Sequence, residues 1–318
     1  MGNGFLCCGD HVQTPVSNWL CLEWGDAMGS GKTCIFCGMD MSGKRAVEHI
    51  VPQWLIDHLD VRRKEIAPAL HEAETGMLVG RRQHTVSRFL AGSVCATCNN
   101  GWMSELERRT KPILIRLIAD QHELAGLTDL ERLTIARWTL KTAAVMNRVG
   151  PPGDPEYPEA RPIPDEHLRS LHAGSVPAEV LVVGGGYTSD RPLEFMQSTS
   201  WTWPEASVPL REEDKKGSYK VGFAFRGLIL GLAYYPNPEY RYGLIEGMYA
   251  PFWSGRGVRQ LQQPLTKLPP LTTSPMLEGF LENIWAISST WLEIRDNVSA
   301  TRLVEIPGTP DNSRTRWP

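Results

Sequence analysis

The chain has 318 residues, long for one compact core, and its 42% hydrophobic content is ample for folding. A net charge of −3 argues against a generic nucleic-acid binder, since phosphate contacts draw on Lys and Arg. The longest apolar run, from Val221, is cut by Arg226 and falls short of the roughly 20 residues of a membrane-spanning helix, which argues against a membrane protein.

Residues 1–30 show no clear periodicity and are rich in Gly, so an N-terminal tail, a candidate for disorder, is expected there. The segment Gly29 to Thr33 imitates a phosphate loop, but Asp26 stands where a Walker motif needs its first Gly, and a cysteine pair follows instead of a helix. A short strand is expected over Ala46 to Val51, ended by Pro52, then a helix over Gln53 to Leu59 and a second short strand over Thr85 to Leu90. After Cys98 the spacing of Trp102, Leu106, Ile113 and Leu117 predicts a helix beginning near Asn99, which Pro112 should break or kink.

Residues 129–149 give the strongest helix signal: Thr128 and Glu131 form a capping-box pair, and Gly150 with Pro151-Pro152 stops it. The Pro-rich stretch 151–164 is the best domain boundary. Beyond it a short helix over Asp165 to His172 precedes strands at Ala178 to Val183, Glu194 to Trp201, Tyr219 to Arg226 and Leu228 to Tyr235. Alternation in the third of these predicts a half-buried strand, Gly184 to Gly186 reads as a turn, and Met276 to Ser288 reads as a late helix. The aromatics Trp201, Trp203, Tyr234, Tyr235, Trp253 and Trp285 read as core in preference to a base-stacking surface.

Seven cysteines is an odd number, and four of them, Cys34, Cys37, Cys95 and Cys98, form two Cys-x-x-Cys pairs 57 residues apart. This pattern favours a metal site in a reducing, cytoplasmic setting over a disulfide framework. Four thiolates close a tetrahedral Zn2+, so the site should be structural and any chemistry must lie elsewhere. Charge is uneven: residues 31–120 hold 13 Lys and Arg against 10 Asp and Glu, and the remainder 20 against 26. The knuckle region is thus mildly basic within an acidic chain.

With these residues the chain resembles the HNH endonucleases, the ββα-metal nucleases. Glu48-His49-Ile50-Val51-Pro52 is similar to that family's acid-His-Ile-x-Pro signature, and Cys95-Ala-Thr-Cys98-Asn99 to its knuckle and helix start. The resemblance covers about a quarter of the chain, Cys34 to Lys111. It implies a ββα-metal core over 31–120 stapled by a zinc on the four cysteines; the element pattern beyond it adds a helical extension over 121–150 and a C-terminal α+β domain over 151–318, so the fold class expected is α+β.

It also implies hydrolysis of DNA phosphodiesters. His49 would act as general base, because imidazole accepts a proton near neutrality. Glu48 and the side-chain oxygen of Asn99 would hold a catalytic Mg2+ or Mn2+, hard ions that prefer oxygen. Adjacent strand residues face opposite ways, so a bulge or strand end is required at Glu48-His49. Asn99 also fits as a helix cap, with Asn100 its rival as ligand, and Glu48 also fits an ion pair with Arg45.

The family's middle Asn has no counterpart, since none occurs from Ile50 to Val94, and His84 or Ser87 is the nearest substitute. The alternative is therefore a catalytically inactive, zinc-stabilised DNA-binding or protein-interaction module. The sequence leaves the oligomeric state open.

Overall fold

A computed structural model describes residues 4–7, 33–41, 45–66, 69–72, 78–81, 84–147, 163–186, 192–198, 217–238, 240–245, 247–261, 281, 284–287 and 301–304. Its architecture is α+β. In chain order the elements of the first half are β1 (Gly4–Cys7), β2 (Arg45–His49), α1 (Gln53–Leu59), β3 (Glu65–Ile66), β4 (Ala69–Glu72), β5 (Leu78–Arg81), β6 (His84–Thr85), β7 (Leu90–Cys95), α2 (Ala96–Cys98), α3 (Ser104–Ala119) and α4 (Asp129–Met146). The second half adds α5 (Asp165–His172), β8 (Val180–Gly186), β9 (Glu194–Ser198), β10 (Tyr219–Phe225), β11 (Leu228–Tyr234), β12 (Arg241–Ile245), β13 (Ala250–Ser254), β14 (Val258–Leu261), β15 (Ile284–Ile287) and β16 (Thr301–Val304).

Eight strands form one antiparallel sheet in the order β13-β8-β11-β10-β9-β1-β4-β5, and four more form a smaller sheet in the order β15-β12-β14-β16. Alternation sorts the central strands into two faces. Val180, Val182, Val221, Phe223, Leu230 and Leu232 face the large core shared with the helices. Their neighbours Leu181, Val183, Ala224, Ile229 and Ala233 join Tyr242, Leu244 and Ile284 of the smaller sheet in a second core. Hence β10 is buried on both faces and not half-buried as its pattern predicts: the smaller sheet covers the face that would have met water.

The helix α4 lies across β8, β11 and β13 and is buried on every side from Leu133 to Met146. Its capping box forms as the sequence predicts, Thr128 accepting from the Glu131 amide while the Glu131 carboxylate takes the Thr128 N–H. Two hydroxyls of the buried stretch are satisfied along the helix, Thr134 by the Leu130 carbonyl and Thr139 by that of Ile135, whereas the buried Thr142 hydroxyl has no partner of hydrogen-bond geometry.

Several expectations are corrected. Pro112 lies inside α3 without ending it; it sits on the solvent face, where water can take the Arg108 carbonyl that loses its donor. Gly184 to Gly186 is not a turn but the end of β8, and a Cβ at Gly184 would collide with the Phe252 ring that packs there. Ile284–Ile287, expected within a helix, is a strand paired with β12, where β-branched and aromatic residues and a ready partner outweigh the helical spacing. Thr85 to Leu90 is split between β6, a 3-10 turn and the start of β7, so the strand that answers β2 is Leu90–Cys95.

Gly4–Cys7, within the expected tail, is a strand between β9 and β4. The boundary expected at residues 151–164 falls mostly outside the described residues, and the large core contains residues from both sides of it. Tyr234, Tyr235 and Trp253 are core, whereas Trp201 and Trp203 lie outside the described residues. No described helix is long and apolar enough to cross a membrane.

Candidate metal centre and active site

The first knuckle is a tight turn. Gly38 donates its N–H to the Cys34 carbonyl at 2.9 Å, and the Cys34 N–H returns to the Met39 carbonyl at 2.8 Å. Closing this turn requires a left-handed residue, and Gly38 takes that conformation with φ at 71°. The second knuckle ends β7: Cys95 is the N-cap of α2, its sulfur accepting from the Cys98 N–H. The Ile35 N–H on the Ser93 carbonyl ties the first knuckle to β7.

Together the knuckles place four sulfurs within 4.8 Å of one another, a group that can hold a metal ion such as zinc. The Cys37 and Cys95 sulfurs are 3.7 Å apart, too far for a disulfide, and all four cysteines are free. A tetrahedron with Zn–S bonds of about 2.3 Å has edges of about 3.8 Å, so the spacing fits. Burial pushes the Cys98 thiol strongly up, with the Trp102 indole N–H opposing it, while at Cys34 backbone N–H groups of Cys37, Cys95 and Phe36 outweigh burial and bring the thiol below its ordinary range. The Trp102 N–H is buried without a protein partner of hydrogen-bond geometry. A metal-bound thiolate at Cys98 would be a better acceptor for it than a thiol.

β2 and β7 form an antiparallel ladder whose register shifts between Ala46 and Glu48. Ala46 faces Val94 and Glu48 faces Ala91, so the extra residue is on β7. That shift lies before Glu48 and on the facing strand; Glu48 and His49 themselves pair in consecutive register with Ala91 and Leu90, and His49 is the last residue of β2. Glu48 and His49 are half-buried at the end of β2. Asn99 is half-buried in a helical conformation just after the knuckle, at the head of the π-helical segment Asn99–Met103. It is not the N-cap, a position taken by Cys95, but closes α2 at its C-terminal end, its N–H on the Ala96 carbonyl.

The surroundings of Glu48 and His49 contain residues that the sequence reading passed over. Lys141 of α4, with a wholly buried side chain, donates to Glu48 Oε1 at 3.2 Å and to Glu107 Oε1 at 2.5 Å. Glu107 also takes the indole N–H of Trp54 at 2.7 Å and of Trp138 at 2.9 Å. Burial alone would drive the ammonium down, but the Glu107 and Glu48 carboxylates more than restore it, so Lys141 stays charged. The Arg45 side chain lies outside the described residues, and Lys141 is the described ion-pair partner of Glu48.

On the other side, Gln53 at the start of α1 brings its amide to 2.5 Å from His49 Nε2. The far end of that amide takes Arg62 Nη2 at 2.9 Å, and Arg62 in turn pairs with Asp57. Of the expected substitutes for the missing Asn, the His84 side chain lies outside the described residues, and the Ser87 hydroxyl pairs with that of Thr85.

Comparison with protein-family models, curated proteins and solved structures finds no match in any of the three. Lys141 shares its helix with Arg132 and Arg137, so nothing local in the sequence singled it out. Nothing in the spacing marked Gln53, because it stands on a different element from His49.

Proposed function

We propose that this chain is a metal-dependent endonuclease of the HNH type that hydrolyses phosphodiester bonds in DNA, with Zn2+ as a structural ion in the four-cysteine group. The observation that supports the reading is the meeting of the four cysteines at the antiparallel pair β2–β7 and the helix that follows β7, with Glu48 and His49 at the end of β2. In this reading His49 removes the proton of the attacking water, and Glu48 and the Asn99 side-chain oxygen hold Mg2+ or Mn2+. The donors fit such an ion: both are oxygens, and Glu48, Lys141 and Glu107 together keep one net negative charge. When bound, the ion would stabilise charge on the phosphoryl oxygens and the leaving group. Lys141 orients Glu48 from behind, and Glu107 with the two indoles holds Lys141 in place.

The test is supercoiled plasmid with Mg2+ or Mn2+, wild type beside His49→Ala. General-base loss should lower the nicking rate by about 10²- to 10⁴-fold. Equal nicking by both proteins removes His49 from the mechanism.

The contact of Lys141 with Glu48 favours one second reading. An ammonium on the proposed metal ligand weakens its pull on a cation, as expected of a zinc-stabilised DNA-binding module without catalysis. DNA retention with no cleavage under any divalent ion would select it.

A further inference from the structure

We infer that Gln53 is a positioning residue for His49, and that Arg62 decides which end of the Gln53 amide the imidazole meets. Chemistry fixes the assignment. A guanidinium has only donors, so the amide atom facing Arg62 Nη2 at 2.9 Å is the carbonyl oxygen. The atom facing His49 Nε2 at 2.5 Å is then the NH2 group, which donates. Nε2 must therefore accept, and in the neutral ring the proton sits on Nδ1.

Arg62 does not hold the amide alone. Its guanidinium is anchored on the Asp57 carboxylate through Nη2 at 2.5 Å and Nε at 3.2 Å, and Asp57 lies one turn beyond Gln53 on α1. The chain Asp57, Arg62, Gln53, His49 is continuous, and each member has its orientation set by the one before it.

The arrangement describes a resting site. Nε2 is covered by Gln53, so a water proton can be received only at Nδ1, and Nδ1 already carries one. Turning the amide over presents its carbonyl to the ring, draws the proton to Nε2 and frees Nδ1. That turn breaks the Arg62 contact. The Arg62 side chain is 51% exposed, and a phosphodiester is an anion that can take a guanidinium from an amide oxygen. Arrival of substrate at Arg62 would thus release Gln53 and ready His49.

The kinetic half of this inference rests on His49 as general base; the structural half does not. Long-range proton–nitrogen spectra of the imidazoles, recorded near pH 8.5 where an ordinary imidazole is neutral, read the two ring nitrogens directly. His49→Ala assigns the signals. Wild type should show the proton on Nδ1, Gln53→Glu should show it on Nε2, because a carboxylate only accepts, and Gln53→Ala should show no single tautomer. A wild-type ring protonated at Nε2, or a Gln53→Glu ring unchanged from wild type, overturns the assignment.

In plasmid nicking, Gln53→Ala should lower kcat about 10²-fold with KM kept, and Gln53→Glu should match or exceed wild type. A fall in Gln53→Glu as deep as in Gln53→Ala, with the tautomer inverted, overturns the link to catalysis. A wild type that does not nick at all defeats the nuclease reading and leaves the ring spectra to judge Gln53.

Discussion

Lys141 and His167 are both sealed from solvent, with side chains 0% and 1% exposed, yet their environments move them in opposite directions. Lys141 meets two carboxylates that are themselves largely enclosed, Glu48 and Glu107, and they hold it charged. At His167 burial prevails. Its Nε2 is 3.2 Å from Glu179, whose side chain is 32% exposed, and its Nδ1 is 2.9 Å from the Tyr219 hydroxyl, beneath the Tyr234 ring. The Glu179 and Glu166 carboxylates favour protonation and Arg256 opposes it, but desolvation is the largest influence and keeps the imidazole's pKa low. One centre keeps a full charge beneath the candidate site, and the other makes a neutral polar seam in the second half of the chain. Charge is retained where two enclosed carboxylates face it, and suppressed where desolvation prevails.

The largest expected effect separates the half that contains the knuckles from the rest. If the four-cysteine group holds zinc, the ion contributes folding free energy directly, on the order of 10 kcal/mol or more in isolated zinc modules. Chelation, or Cys95→Ser, should remove one equivalent of zinc and abolish cooperative unfolding of the knuckle region in a thermal melt. Unchanged melting of a metal-free protein would show that the β2–β7 pair needs no staple. Next comes the charged centre. Lys141→Met leaves two carboxylates facing each other without a cation and should cost about 3–5 kcal/mol in urea unfolding. The double variant Lys141→Met, Glu107→Gln removes one of those charges and should recover part of the loss. Equal losses in the two variants would mean that packing of the Lys141 stem, and not charge, sets the cost.

These centres were not equally legible in the chain. The cysteine pairs, the Glu48-His49 dipeptide and the capped start of α4 are local signals, carried by spacing and by residue types with special chemistry. The structure brings the four sulfurs together and forms the capping box. The Lys141 centre depends on β2, α3 and α4 meeting, and no local pattern states that meeting. The same reason hid the strand at Ile284–Ile287, whose identity comes from pairing with β12, and the second buried face of β10, which exists because a sheet formed later in the chain covers it. Gln53 was hidden by orientation: four residues from His49, it would point anywhere until Pro52 starts a helix behind the strand.

A smaller effect tests the sign of the His167 shift. A histidine whose folded pKa is depressed below its unfolded value of about 6.5 binds fewer protons in the fold than out of it. Its contribution to stability is therefore complete above that value and is lost as pH falls through it toward the folded pKa. The contribution to the slope is at most about 1.4 kcal/mol per pH unit. Urea unfolding between pH 7.5 and pH 5.5 should show a steeper loss for wild type than for His167→Gln. Parallel curves would mean that His167 is as easily protonated in the fold as out of it, and the contrast with Lys141 would fail.

The smallest effect provides the control that the charged centre needs. Lys141 and the Thr128 cap belong to the same helix, so any loss of activity in a Lys141 variant could come from loosening α4 and not from the missing charge. Thr128→Ala removes the side chain that accepts the Glu131 N–H and should cost about 1 kcal/mol, while leaving Lys141, Glu107 and Glu48 in contact. Its urea midpoint should fall and its nicking rate should hold. If instead activity drops with the midpoint in Thr128→Ala, the site depends on how firmly α4 is seated, and the ammonium on Glu48 is a consequence of packing rather than a determinant of the chemistry.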